Sequence, residues 1–119
     1  MKHIISSAFF LIVLFCLSVF IFDPTNLYYE LSWLDIPMHV LGGFGVASFV
    51  IAVATYGKQK LSLVQVFILY ICVAVAWELY EIVKDVFVYT RVWNGWSDTL
   101  SDVANGAVGA VAAYFFYKK

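Results

Sequence analysis

Long apolar segments separated by short polar ones run along the whole chain. Apolar residues dominate positions 4–22, 36–56, 61–88 and 99–117. A helix needs about 20 mostly apolar residues to cross the hydrocarbon core of a bilayer. Because each segment is close to that length, the pattern predicts helices over about these four ranges, each of which crosses a membrane.

Helix-start and turn residues separate these segments. Asp23-Pro24 follows the first segment, Asp35 and Pro37 open the second, and Gly57 closes it. The first segment is longer than the apolar region of a signal peptide, which has about 7–15 residues, and it lacks a small-residue cleavage site. We therefore expect an uncleaved first helix. Residues 1–119 are predicted to form a single transmembrane domain, an all-α, integral membrane four-helix bundle.

The composition excludes other classes of protein. The 119 residues are 64% hydrophobic and 13% charged, whereas soluble domains have roughly 45–50% apolar and 25% charged residues. Cys16 and Cys72 lie inside apolar segments without the spacing of a disulfide scaffold or metal motif. The few basic residues are scattered along the chain, which argues against nucleic acid as a partner.

The two ends of the predicted helices differ in charge. Basic residues without acidic neighbours are found near both termini and in the second loop, at Lys2, Lys58, Lys60, Lys118 and Lys119. Such residues are retained on the cytoplasmic side of short loops, so we expect both termini in the cytoplasm. All eight acidic residues, together with Lys84 and Arg91, fall at the opposite, outer end.

Three of the predicted helices carry a polar stripe near the outer end. Residues three or four positions apart lie on one face of a helix. The stripes are, in chain order, Asp35 with His39, Glu78 with Glu81 and Asp85, and Asp98 with Asp102 and Asn105. The spacing predicts that the stripes face one another in a shared pocket, because lipid does not accept them.

Each of these residues has a simpler interpretation when it is taken alone. Asp35 and Asp98 stand where side chains cap helix N-termini, and His39 has the position of a packing histidine. Gly42-Gly43 is typical of close contacts between membrane helices. These interpretations do not account for Glu78, which lies deeper. Ionisable groups within a span are costly unless they are paired or solvated, and they usually mark a functional site.

A shared pocket of carboxylates requires a counter-charge. Bound divalent cations or shared protons would supply it. Carboxylates and an imidazole from several helices form the ligand sets of di-metal helical proteins, and such ligands suit Mg, Mn, Zn or Fe. We therefore predict a divalent metal ion. The predicted metal ligands are Asp35, His39, Glu78, Glu81, Asp98, Asp102 and Asn105, and the predicted catalytic residues are His39 and Glu81.

Three strings resemble known proteins. They are LDIPMHVLGG at 34–43, WELYE at 77–81 and SDTLSDVANGA at 97–107. In the order and spacing of their acidic residues they resemble small bacterial inner-membrane proteins of the YjdF type and, more distantly, the VanZ-like family. The resemblance implies a multi-pass protein of the bacterial inner (plasma) membrane. For VanZ-like members it also implies a link to low-level glycopeptide resistance and the cell envelope.

These features favour a membrane-embedded, metal-dependent enzyme that acts on a lipid or lipid-linked envelope substrate at the extracytoplasmic face. The cation would polarise a phosphoryl or carbonyl oxygen, and Glu81 or His39 would be the general base. The alternative is a non-enzymatic protein: a cation-binding or ion-conducting homo-oligomer, or an envelope interaction partner. A small lipid kinase is a remote alternative, because it needs cytoplasmic ATP and therefore the reverse topology.

Cysteine labelling tests the predicted orientation. With Cys16 and Cys72 changed to Ala, the single substitutions Asn26→Cys and Asn94→Cys should make the chain react with an impermeant thiol reagent added outside intact cells. Gln59→Cys should react only after the cells are opened. The opposite pattern would contradict the orientation and would favour the kinase alternative.

Overall fold

The computed structural model describes residues 1–88 and 94–118, and this part of the chain is all-α. The all-α prediction is therefore confirmed. The predictions that concern Arg91 lie outside the described residues. The elements are α1 (Lys2–Leu17) with a π-helical turn (Ser18–Phe22), α2 (Leu27–Glu30), a 3₁₀ turn (Ser32–Leu34), α3 (Asp35–Tyr56), α4 (Leu63–Val88) and α5 (Trp96–Tyr117).

Three helical segments of the described chain are long and apolar enough to cross a membrane. They are Lys2–Phe22, Ser32–Tyr56 and Leu63–Phe87. Helix α5 has 22 residues, as many as α3, but it carries the polar residues of the third stripe. That α5 also crosses the membrane, and that the termini are cytoplasmic, stay predictions.

Both polar helix starts differ from the capping interpretation. Helix α3 begins at Asp35 itself, and α5 begins at Trp96, before the predicted Thr99. Gly95 precedes α5 with φ of 108°, a conformation that favours glycine, and so allows the earlier start. Neither helix has a side-chain hydrogen bond at its N-cap. The capping interpretation of Asp35 and Asp98 is therefore wrong, since both lie inside the first helical turn.

Helices α3 and α5 form the central pair of the bundle. Helix α1 packs on α3, and α4 packs on α5 and α3. The buried core between them combines three alanines and a valine with one large side chain: Ala47, Val66, Ala110, Ala113 and Tyr70. Small residues let membrane helices approach closely, which increases van der Waals contact where the hydrophobic effect is absent.

Glycines set the distance between α3 and α5. A Cβ atom on Gly43 would overlap the backbone carbonyl of Gly106, and one on Gly109 would overlap the carbonyl oxygen of Val40. Gly42 differs from its neighbour, because a Cβ there would meet nothing within 4 Å. The close-packing interpretation is therefore confirmed for Gly43 and not for Gly42.

Adjacent glycine substitutions test this contact. Gly43→Ala should lower the free energy of unfolding by about 1–3 kcal/mol or more, because overpacking forces the two helices apart. Gly42→Ala should be tolerated or slightly stabilising, because alanine is favoured over glycine in a helix by about 1 kcal/mol. Thermal melting in detergent measures both variants. Equal effects would contradict the close α3–α5 contact.

Candidate functional site

A cavity of about 380 Å³ lies between α1, α3, α4 and α5. It is located where α3 and α5 begin and α4 ends, which we call the acidic end of the bundle. We call this space the acidic cavity. Its polar lining residues are Ser18, Tyr28, Ser32, Asp35, His39, Glu78, Glu81, Asn94, Asp98 and Asp102. The remaining lining is apolar or aromatic, apart from two glycines.

Asp35, His39 and Asp102 form a compact cluster in this cavity. His39 Nε2 lies 3.3 Å from Asp35 Oδ1, one helical turn away on α3, and 3.5 Å from Asp102 Oδ2 on α5. One potential ligand atom from each residue lies within 4.8 Å of the others. Asp102 is only 4% exposed. The three side chains are therefore placed to share a proton or to coordinate a single ion.

Two glutamates from α4 lie in the same cavity. Glu78 and Glu81 are 5% and 8% exposed, and they interact electrostatically with each other and with His39. Trp77 Nε1 donates a 2.6 Å hydrogen bond to Glu81 Oε1, which fixes that carboxylate. Thr99 hydrogen-bonds the Glu78 carboxyl group, but Glu78 Oε2 is buried and has no hydrogen-bond partner in the described structure. Burying a carboxylate oxygen without a partner is costly, and a water or an ion in the cavity would remove that cost.

The structure brings the predicted site residues together except for Asn105. Asp98 lines the cavity and accepts a 3.1 Å hydrogen bond from Asn94. Asn105 does not line it, and its amide donates to Ser101 Oγ on the same helix at 3.4 Å. The buried face of α5 includes Asp102 and residues such as Gly106. Asn105 follows Asp102 by three residues on the same polar stripe, but its amide is engaged by Ser101 of the same helix rather than in the cavity.

Basic side chains do not balance these acids among the described lining residues of the cavity. Lys84 instead forms a largely buried ion pair with Asp23 at the end of α1. Its side chain joins α4 to the residue that follows the π-helical turn of α1, and it does not line the cavity. Lys84 is therefore engaged outside the cavity, and Arg91 lies outside the described residues.

Sequence reasoning missed three aromatic residues of the site. Trp77 holds Glu81, a contact that their spacing of four residues signals. Tyr70 donates a 2.7 Å hydrogen bond to the carbonyl of Val103 and thereby joins α4 to α5. Tyr28, on the short α2, donates to Ser18 Oγ at 3.0 Å. Burial, with a smaller contribution from Asp23, raises the pKa of Tyr28 to about 12, so that its hydroxyl stays a neutral donor at physiological pH.

Comparison with known proteins identifies the family. Residues 3–119 match a family described as predicted membrane protein (DUF2238). The chain belongs to this family. No curated protein and no solved structure matches it. The family and the three candidate spans together make it a multi-pass membrane protein, associated with the lipid bilayer. The finer resemblance to the YjdF type and to VanZ-like proteins stays a resemblance.

Replacing Glu78 tests whether the cavity is a site that costs stability. In the presence of chelator, Glu78→Met should raise the free energy of unfolding by about 1–3 kcal/mol, because it removes a buried oxygen without a partner at similar side-chain volume. The matched control is Glu30→Met on α2, where the side chain is exposed. It should change stability by less than about 0.5 kcal/mol. A clear loss of stability in Glu78→Met would show that the carboxylate is fully compensated in the folded protein.

Proposed function

We propose that Asp35, His39 and Asp102 bind a divalent cation, and that this DUF2238 protein is a metal-dependent membrane enzyme. The observation that carries the proposal is the spacing around His39 Nε2, 3.3 and 3.5 Å to the two carboxylate oxygens. Ligand atoms about 2.1 Å from a tetrahedral ion are about 3.4 Å from one another. The side chains thus need little rearrangement to coordinate one ion.

Charge supports the proposal. Two further buried carboxylates, Glu78 and Glu81, line the same cavity, without a lysine or arginine among its described lining residues. A divalent cation would neutralise Asp35 and Asp102 and lower the repulsion that the glutamates experience. The unpartnered Glu78 Oε2 would gain a charged neighbour or a metal-bound water. One imidazole among carboxylates suits Zn or Fe, and the carboxylates also suit Mg or Mn.

We propose different roles for the two predicted catalytic residues. His39 lies between the two aspartates, so we assign it to the metal rather than to proton transfer. Glu81, which Trp77 holds in one orientation, is the general base that removes a proton from an attacking water. The cation would polarise a phosphoryl or carbonyl oxygen of a lipid-like substrate.

A non-enzymatic cation-binding protein is the second candidate. It is favoured by the lack of basic side chains in the described lining of the cavity, because enzymes that bind phosphate groups commonly use arginine. Turnover separates the two candidates. An enzyme loses turnover and keeps metal binding in Glu81→Gln, whereas a binding protein shows no turnover with any lipid ester or phosphate and keeps its metal.

Metal-dependent melting tests the shared part of both proposals. Purified protein in detergent should melt at a higher temperature with Mn²⁺ or Zn²⁺ than with chelator. At a hundredfold excess over the dissociation constant, binding to the folded state stabilises it by about 2.7 kcal/mol. Asp102→Asn and His39→Ala should abolish the difference. Asp98→Asn is the matched control, since Asp98 lines the cavity outside the cluster, and it should keep most of the difference.

The contrary outcomes are distinct. Melting that is indifferent to metal and chelator, but occurs more readily at alkaline pH, would show that shared protons hold the cluster together, and would overturn the metal site. A metal effect that Asp98→Asn removes as completely as Asp102→Asn would place the cation elsewhere in the cavity.

A further inference from the structure

The acidic cavity continues inward as an apolar arm. Its walls there are Leu11, Leu14 and Phe15 of α1, facing Val73 and Ala74 of α4. Val73 precedes Glu78 along α4, so this wall lies roughly 7.5 Å deeper in the bundle at about 1.5 Å per residue. The whole cavity, about 380 Å³, is within the range of about 300–1,000 Å³ that is typical of small-molecule sites. Its two ends therefore offer a charged environment and an apolar one to the same ligand.

The apolar arm has partly exposed wall residues on both α1 and α4. These two helices are not a packed pair in the part of the chain that the structure describes, since α1 packs on α3 and α4 on α5 and α3. Phe15 and Val73 line the cavity and yet are 44% and 46% exposed. Both belong to segments that are apolar enough to span a membrane. The side opening therefore faces acyl chains.

Two side-chain contacts connect α1 and its end to α4. The ring of Phe15 meets that of Trp77 edge to face, with centroids 6.0 Å apart, and Lys84 pairs with Asp23 nearer the membrane surface. Trp77 also holds Glu81 through its indole nitrogen. The same residue thus contacts the Glu81 carboxylate of the acidic cavity through its indole nitrogen and Phe15 of α1 through its ring.

From this geometry we infer that the cavity takes up one acyl chain of a membrane amphiphile, which enters sideways between α1 and α4. The chain lies in the apolar arm, and the polar end of the molecule reaches the cluster of Asp35, His39 and Asp102. An apolar cavity binds water poorly. An acyl chain from the surrounding bilayer would fill it, and a cavity that is already formed keeps the entropic cost of ordering the protein low. The position of the polar end rests on the proposed metal function. The position of the chain does not.

Photolabelling tests the site of the chain. The full chain is reconstituted in phosphatidylcholine vesicles with palmitic acid that carries a diazirine on its chain, and adducts are mapped by mass spectrometry. Labelling of the Leu11–Phe15 and Val73–Trp77 stretches is compared with that of Val108, an exposed residue of α5. The first two stretches should be labelled several-fold more strongly than Val108. Even labelling of all exposed apolar residues would overturn the inference.

Paired substitutions locate the chain more sharply. Val73→Trp fills the apolar arm, whereas Val75→Trp changes a residue of the same helix with similar exposure (46% and 48%) that does not line the cavity. Leu14→Trp and Val13→Trp form the corresponding pair on α1. The lining variants should reduce the labelling several-fold, and their partners should not. The two pairs are independent, so a variant that fails to melt cooperatively leaves the other pair as the test.

The failure of this inference is distinguishable from the failure of the proposed function. Asp102→Asn should remove metal binding and leave the labelling of the apolar arm unchanged. Labelling that persists in a protein indifferent to metal would keep the acyl-chain site and reject the metal site. Labelling that the lining variants and their controls leave equally unchanged would reject the acyl-chain site, whatever the metal result.

Discussion

The close contact between α3 and α5 determines where the candidate site residues meet. No side chain separates the backbones at Gly43 and Gly106, and Gly109 lies against the carbonyl oxygen of Val40. Within a bilayer, helices associate through packing contacts and hydrogen bonds rather than through the hydrophobic effect, so this separation depends on the small residues themselves. The approach brings Asp102 of α5 to within 3.5 Å of His39 of α3. A larger distance between α3 and α5 would separate Asp102 from His39, and the cluster would not form.

The same close packing makes the acidic cavity costly in folding free energy. Glu78, Glu81 and Asp102 are all nearly buried, and each charged group that loses water must recover the lost energy from a partner. Trp77 provides part of it for Glu81, and Thr99 provides part for Glu78. The remaining oxygen of Glu78 has no such partner in the described structure. Apolar residues of similar volume would pack more stably there, and this cost to folding is the physical reason for proposing that the cavity binds a ligand.

Helical periodicity predicted the three stripes, and two of its consequences hold in the structure: Asp35 and His39 share a face of α3, and Asp102 meets them. Periodicity failed where the position of a side chain depends on the contacts that it makes in the folded bundle. Asn105 fits the spacing of its stripe, but it does not line the cavity, and its amide hydrogen-bonds Ser101 on the same helix. Lys84 is near the acids of α4 in the sequence, yet its partner is Asp23, a residue far away in sequence whose position depends on how α1 ends. The spacing of residues along one helix does not determine which partner either side chain contacts.

The acidic and apolar parts of the cavity depend on different helix pairs. The cluster of Asp35, His39 and Asp102 is built on α3 and α5, whose backbones are in contact. The apolar arm is bounded by α1 and α4, which are bridged through Phe15, Trp77 and the Lys84–Asp23 ion pair. A shift of α1 along α3 would therefore change the width of the side opening without moving the ligand atoms around His39. The inferred uptake of an acyl chain would use this separation between a closely packed pair of helices and a pair joined by fewer contacts, because the chain would enter without disturbing the charged groups. Trp77, which contacts both parts, is the residue through which an occupied arm would affect the orientation of Glu81.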